Sequence, residues 1–169
     1  MAEYMLVDHI SHLVPLGDLD PVENVSLTDV ELTLYHAIKA SFPRLGPGST
    51  AVVIGTGGLG HVAVQILRAL TSATVIALAV NVDKLRLAKD VGAHHGFLSD
   101  IGAIDKIKAL TGGKGAQAVF DFVVVQPTIA LGQAVIGVGG DLVLVGAGAG
   151  TTKAGVLASP YASSVRAPY

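Results

Sequence analysis

Residues 50–61, T-A-V-V-I-G-T-G-G-L-G-H, decide the reading of this chain. A short β-branched run enters a G-x-G-x-x-G turn built on Gly55, Gly57 and Gly60, and a helical pattern leaves it. The first glycine permits the tight turn and the second lets backbone approach a pyrophosphate. The third lets the new helix pack against the strand it follows. The start of that helix offers free N–H groups and a positive dipole end to an anion. A glycine pattern alone is weak evidence. The strand–turn–helix context around it is what points to dinucleotide binding.

Outward from this unit, strands and helices alternate. Strands are expected at 51–55, 74–79, 95–98, 117–122 and 140–145, with helices at 58–70, 82–91, 102–111 and 127–136. The strands are apolar on both faces (V-I-A-L-A, A-V-F-D-F-V, L-V-L-V), as in a parallel sheet covered by helices on each side. Right-handed crossovers then give a doubly wound, mainly parallel Rossmann-type α/β sheet of three layers. Upstream, residues 3–7 and 12–14 read as short extended pieces. Residues 20–41 read as a helix with Asp20 as N-cap and Pro21 in the first turn, ended by Pro43. The organisation expected is a lead-in segment and helix over 1–49 and one dinucleotide-binding domain over 50–169. Gly139-Gly140 supplies turn chemistry, the stretch 146–164 is a loop rich in small residues, and 164–169 forms one more edge strand.

Hydrophobic residues make up 51% of the 169 and charged residues 14%, against an average of about 25% charged. A substantial apolar face covered by another subunit or domain is therefore expected. A net charge of −2 gives no electrostatic ground for nucleic acid or an anionic membrane. With no cysteine, disulfides and thiolate metal sites are excluded. No basic-then-apolar leader opens the chain and no apolar run approaches ~18 residues, so a soluble, cytoplasmic protein is expected.

The segments L-V-P-L-G-D-L-D-P-V, S-L-T-D-V-E-L-T-L-Y-H-A-I, L-G-P-G-S-T-A-V-V-I-G, G-G-L-G-H, V-D-K-L-R-L-A-K-D-V-G-A, L-T-G-G-K-G-A and V-F-D-F-V carry a wider resemblance. Nearly end to end, the chain resembles the cofactor-binding half of zinc-dependent medium-chain alcohol dehydrogenases, bacterial secondary alcohol dehydrogenases in particular. The resemblance implies hydride transfer between an alcohol or ketone and a nicotinamide. It implies that Gly55, Thr56, Gly57, Gly58, Leu59 and Gly60 cradle the pyrophosphate, with Lys84 near the ribose and Val123 near adenine. Val145, Gly146 and Ala147 would line the nicotinamide. It also implies a homodimer in which residues 164–169 continue one sheet into the next.

The same resemblance implies that a catalytic domain is missing from this sequence. Of the family's zinc ligands only Asp29 has a counterpart here, and a solvated or capping carboxylate is the plainer reading of that residue. One carboxylate does not fix a tetrahedral zinc, and without zinc nothing polarises the alcohol oxygen. Zinc is therefore not expected in this chain alone, nor independent turnover. Ala79 stands where an acidic residue, about twenty positions past the glycine turn, would bind the adenosine ribose. Losing that acceptor weakens NAD by an order of ~1.5–3 kcal/mol. It also removes repulsion against a 2′-phosphate, although no arginine follows, so weakly bound NAD and NADP both stay open. Val124 stands where relatives usually carry glycine, and its side chain is expected to crowd the adenosine end.

Two other readings compete with this one. One is a non-catalytic dimerising module with weak or lost cofactor binding. The other is a serine hydrolase, disfavoured because no G-x-S-x-G elbow exists and Ser159, Ser163 and Ser164 near Tyr161 lack a base. The histidines read mostly as structural. His9 and His12 fall on opposite faces of an extended piece, His36 is packed and hydrogen-bonded, and the His94-His95 pair is solvent-exposed. His61 lies near the phosphates or merely starts its helix. Asp121, ending a strand, either touches a nucleotide or holds a loop.

Overall fold

The protein is described here from a computed structural model, covering residues 4–146 and the backbone of 162–166. Six strands, β1 (Thr50–Ile54), β2 (Thr74–Ala79), β3 (His95–Leu98), β4 (Ala116–Asp121), β5 (Ile136–Leu144) and β6 (Ala162–Arg166), form one parallel sheet. Its order is β3-β2-β1-β4-β5-β6. Val52 on the central strand lies between Ile76 and Val119. Side chains alternate across the pleat, and the core divides accordingly. Ala51, Val53, Val75, Ala77, Phe120 and Val143 meet the buried residues of α1 (Val30–Lys39), α2 (Gly60–Leu70) and α3 (Val82–Asp90). Val52, Ile54, Ile76, Leu78, Leu142 and Leu144 meet α4 (Gly102–Leu110) and α5 (Gln126–Val135) on the other face. The expected three-layer, doubly wound α/β sheet is present, and connections reverse direction between β1 and β4.

The lead-in segment shares this core. Leu34, Ala37, Ile38 and Leu45 are buried against α2 and the sheet. The buried Asp141 carboxylate of β5 also accepts the Ser41 hydroxyl at 3.0 Å and the Arg44 Nε–H at 3.2 Å. The helix expected over 20–41 is shorter, however. Asp20 Oδ1 accepts the N–H groups of Val22 (2.8 Å) and Glu23 (2.9 Å), closing a turn. A 3-10 turn follows at Val25–Thr28, and α1 starts only at Val30. Val22 and Val25 are exposed. Without a core to cover, the apolar periodicity before Val30 has nothing to stabilise a helix.

Residues 4–7 take no strand partner, and Ile10–His12 is a 3-10 turn. That turn brings the His9 and His12 rings edge to face at 6.2 Å rather than onto opposite faces. His36 is exposed, not packed. His94 is exposed too, but its Nδ1 accepts the Val75 N–H at 2.8 Å, tying the start of β3 to β2. Desolvation, then the Arg68 guanidinium and His95, hold its pKa below the usual histidine value.

β5 begins at Ile136, four residues before the expected position. Gly139-Gly140 sits inside the strand, not in a turn. A Cβ on Gly115 would fall 2.7 Å from the Gly137 nitrogen, so glycines here let two backbones run close together. Large apolar side chains are exposed along the lead-in segment, Tyr4, Leu6, Val14 and Val22 among them, as the sparse charge predicts. Among the described residues no helix is long and apolar enough to cross a membrane.

Candidate dinucleotide cleft

A cleft of about 800 Å³ opens at the carboxyl ends of β1 to β4, where the strand order reverses. That is where open α/β sheets bind ligands. Its floor is the glycine turn. Gly55 adopts φ +88°, which an L side chain rarely tolerates, and its N–H donates to the Leu78 carbonyl at 2.9 Å. A Cβ on Gly60 would overlap the Gly55 carbonyl oxygen and come 2.8 Å from its carbon, so only glycine lets α2 start this close to β1. Gly57 and Gly58 face open space within the cleft. The backbone N–H groups of Thr56 to Gly60 take no acceptor among the described residues. A row of free donors at the first turn of α2 suits the pyrophosphate of a dinucleotide.

The walls follow from the other strand ends. Thr56 is buried, and its hydroxyl donates to the Lys84 carbonyl at 3.2 Å, fastening the turn to α3. Asn81 caps α3 by accepting the Lys84 N–H at 2.9 Å. Asp121, buried at the end of β4, holds the turn into α5. Its Oδ1 accepts the N–H groups of Val123 (2.9 Å) and Val124 (3.0 Å), and its Oδ2 accepts the Thr128 hydroxyl at 2.7 Å. Of its two expected roles, the loop-holding one is the role these bonds describe. Val124 has φ +53°, the one positive value outside glycine among the described residues. Its side chain is buried in the core beside α5 and does not line the cleft, so the expected crowding by Val124 does not occur. Val123 packs over the glycine turn instead, its Cγ2 standing 2.5 Å from where a Gly55 Cβ would be.

Gly55, Thr56, Gly57, Gly58, Leu59, Gly60, Ala79, Lys84 and Val123 thus line one cleft. Val145 is buried behind it, its N–H on the Asp121 carbonyl at 2.8 Å, and neither Val145 nor Gly146 is in the lining; Ala147 lies outside the described residues. Ser159 and Tyr161 also lie outside them, and Ser163 and Ser164 are described in backbone only. His61 donates Nδ1–H to the Gly57 carbonyl at 2.8 Å and is not among the cleft-lining residues. Ser99, Phe122 and Thr128 line the cleft without having been singled out. Ser99 was within reach of the sequence, as the residue after β3 at the carboxyl edge.

A family model described as zinc-binding dehydrogenase matches residues 58–164. The chain belongs to that family. An NAD-dependent alcohol dehydrogenase of Sulfurisphaera tokodaii is 38% identical over 147 residues, covering 86% of this chain and 42% of the relative. The crystal structure of the alcohol dehydrogenase of Aeropyrum pernix superposes with a TM-score of 0.78 at 35% identity, over 89% of this chain and 44% of that one. A mycobacterial protein complexed with NADPH superposes at 0.79 with 26% identity, over 92% of this chain and 48% of that one. This zinc-binding dehydrogenase chain therefore spans less than half the length of these relatives. Among the described residues no group of three or more His, Asp or Glu is placed to hold a metal ion, and Asp29 is exposed, one residue before the cleft residue Val30.

Proposed function

We propose that the chain is the nicotinamide-dinucleotide-binding part of an alcohol dehydrogenase-like oxidoreductase. The observation that carries this reading is the row of acceptor-free N–H groups from Thr56 to Gly60, opening onto a cleft at the sheet's reversal point. Those groups would bind the pyrophosphate, Lys84 would approach the ribose, and Val123 would pack against adenine. The nicotinamide, when bound, would supply the hydride chemistry. The named activity of the Sulfurisphaera relative and the NADPH of the mycobacterial complex support a nucleotide here. Asp29 alone gives no Lewis-acid step, and the chain is proposed to be inactive on alcohols by itself. Calorimetric titration of the protein with NADH and with NADPH tests the reading. Micromolar binding of at least one, about −8 kcal/mol, is expected, and no heat at millimolar cofactor would overturn it.

A second reading is supported by the place of β6. Among the described residues it pairs with β5 on one side and is the last strand of the sheet, and a free edge is a template for another chain. We infer a dimer joined through residues 164–169, whether or not nucleotide binds. Deleting those residues should convert dimers to monomers in light scattering, and unchanged dimers would retire the pairing.

A further inference from the structure

We propose that the adenosine end of the cleft is a phosphate subsite, selecting a dinucleotide phosphorylated on the adenosine ribose over one with a bare 2′-hydroxyl. The inference rests on the dinucleotide reading above. Ala79 closes β2, is only 1% exposed, and lines the cleft. A methyl group there gives a ribose diol no acceptor and a phosphate no repulsion. Ser99 lies alongside, its N–H on the Ala79 carbonyl at 2.8 Å, and brings a hydroxyl to the same wall.

Lys84 comes from the first turn of α3, and its backbone is pinned by Asn81 on one side and Thr56 on the other. The glycine turn therefore fixes where this lysine starts. It is the one charged residue in the cleft lining, and among the described residues it enters no ion pair. The neighbouring carboxylates are engaged elsewhere. Asp83 is exposed and pairs with Arg86 at 3.2 Å, and Asp100 accepts the Ala103 N–H at 3.1 Å at the start of α4. Neither lines the cleft. A wall with one cation, one hydroxyl and no carboxylate attracts a dianionic ester and offers a neutral diol little. A carboxylate at position 79 would reverse both effects.

The test is titration of the intact chain with NADH and NADPH, alongside 5′-AMP and adenosine 2′,5′-bisphosphate, by calorimetry. NADPH and the bisphosphate are expected to bind ~10- to 100-fold tighter than their partners, the range of one charge-assisted hydrogen bond. Lys84→Ala should erase most of that ratio, weakening NADPH and the bisphosphate far more than it weakens NADH. Ala79→Asp should invert it, and because Ala79 is buried, the exposed Lys84→Glu variant provides an independent inversion. Equal or tighter binding of NADH by the unaltered chain overturns the subsite and leaves the cleft reading intact. A NADPH preference unmoved by both Lys84 variants also overturns it as assigned. Binding by none of the four nucleotides removes the cleft reading and this inference together.

Discussion

Gly60→Ala should cost about 3 kcal/mol of folding stability and abolish dinucleotide binding, whereas Gly57→Ala should leave the fold intact and weaken binding alone. The two glycines belong to one motif, but they face different things. The Cβ of an alanine at 60 would overlap the Gly55 carbonyl oxygen and crowd its carbon, with Val53 Cγ1 3.6 Å away. None of these neighbours is a flexible side chain tip. The Gly55 carbonyl belongs to the turn leaving β1, and Gly55 N–H is already tied to β2. Relief would require α2 to back away from the sheet, and α2 carries Ala63, Val64 and Leu67 into the core. At 57, nothing lies within 4 Å of the added methyl and φ is not positive, so stability should stay within about 0.5 kcal/mol. The methyl would, however, project into the space where a pyrophosphate would sit, and affinity should fall about tenfold or more. Urea unfolding and calorimetry on both variants separate the effects. A wild-type unfolding midpoint for Gly60→Ala would show that the close approach of α2 to β1 is not needed.

The central sheet was legible because its strands are buried on both faces. Continuous apolar runs such as residues 52–54 and 75–78 have no other use in a chain with so few charges. The cleft floor was legible for a different reason. Each glycine of the turn answers a local geometric demand that no other residue meets, so the pattern carries its structure with it. Elsewhere the same letters misled. Gly139-Gly140 looked like a turn because the sequence does not reveal that Gly115, just ahead of β4, and Gly137 of β5 run backbone against backbone. The segment before Val30 looked helical because periodicity cannot reveal whether a face has anything to cover. Val124 was recognisable as a residue in a glycine's place, but not the direction in which it turns. A residue in the left-handed region swings its Cβ away from the path its neighbours take. Val123 and Val125 therefore line the cleft while Val124 enters the core.

That inverted valine makes Asp121→Ala the other large expected effect, about 4 kcal/mol of destabilisation. Two N–H groups of the β4–α5 turn would lose their acceptor, at ~1–3 kcal/mol for each buried donor left unpaired. The Thr128 hydroxyl would lose Asp121 Oδ2 but could still donate to the Val125 carbonyl at 3.0 Å. A β-branched residue at φ +53° stores strain of order 1–3 kcal/mol, which the turn retains because Asp121 bonds Val124 N–H while the core holds its side chain. Removing the carboxylate removes half of that restraint, and Val123 should leave its seat over Gly55. Dinucleotide affinity should then fall even at temperatures where the variant is fully folded. Asp121→Asn should recover most of the loss, because its Oδ1 still accepts both N–H groups and its amide can donate to the Thr128 oxygen. The strain has its own check in a pair of truncations. Glycine ordinarily destabilises by about 0.5–1 kcal/mol relative to alanine, but at position 124 it should be the more stable of the two. If urea unfolding finds Val124→Gly below Val124→Ala by the usual margin, the turn is not strained. In that case Asp121 would be satisfying two N–H groups without opposing any backbone preference. If the order is inverted, the buried aspartate is what lets a valine occupy a glycine's conformation at the edge of the cleft.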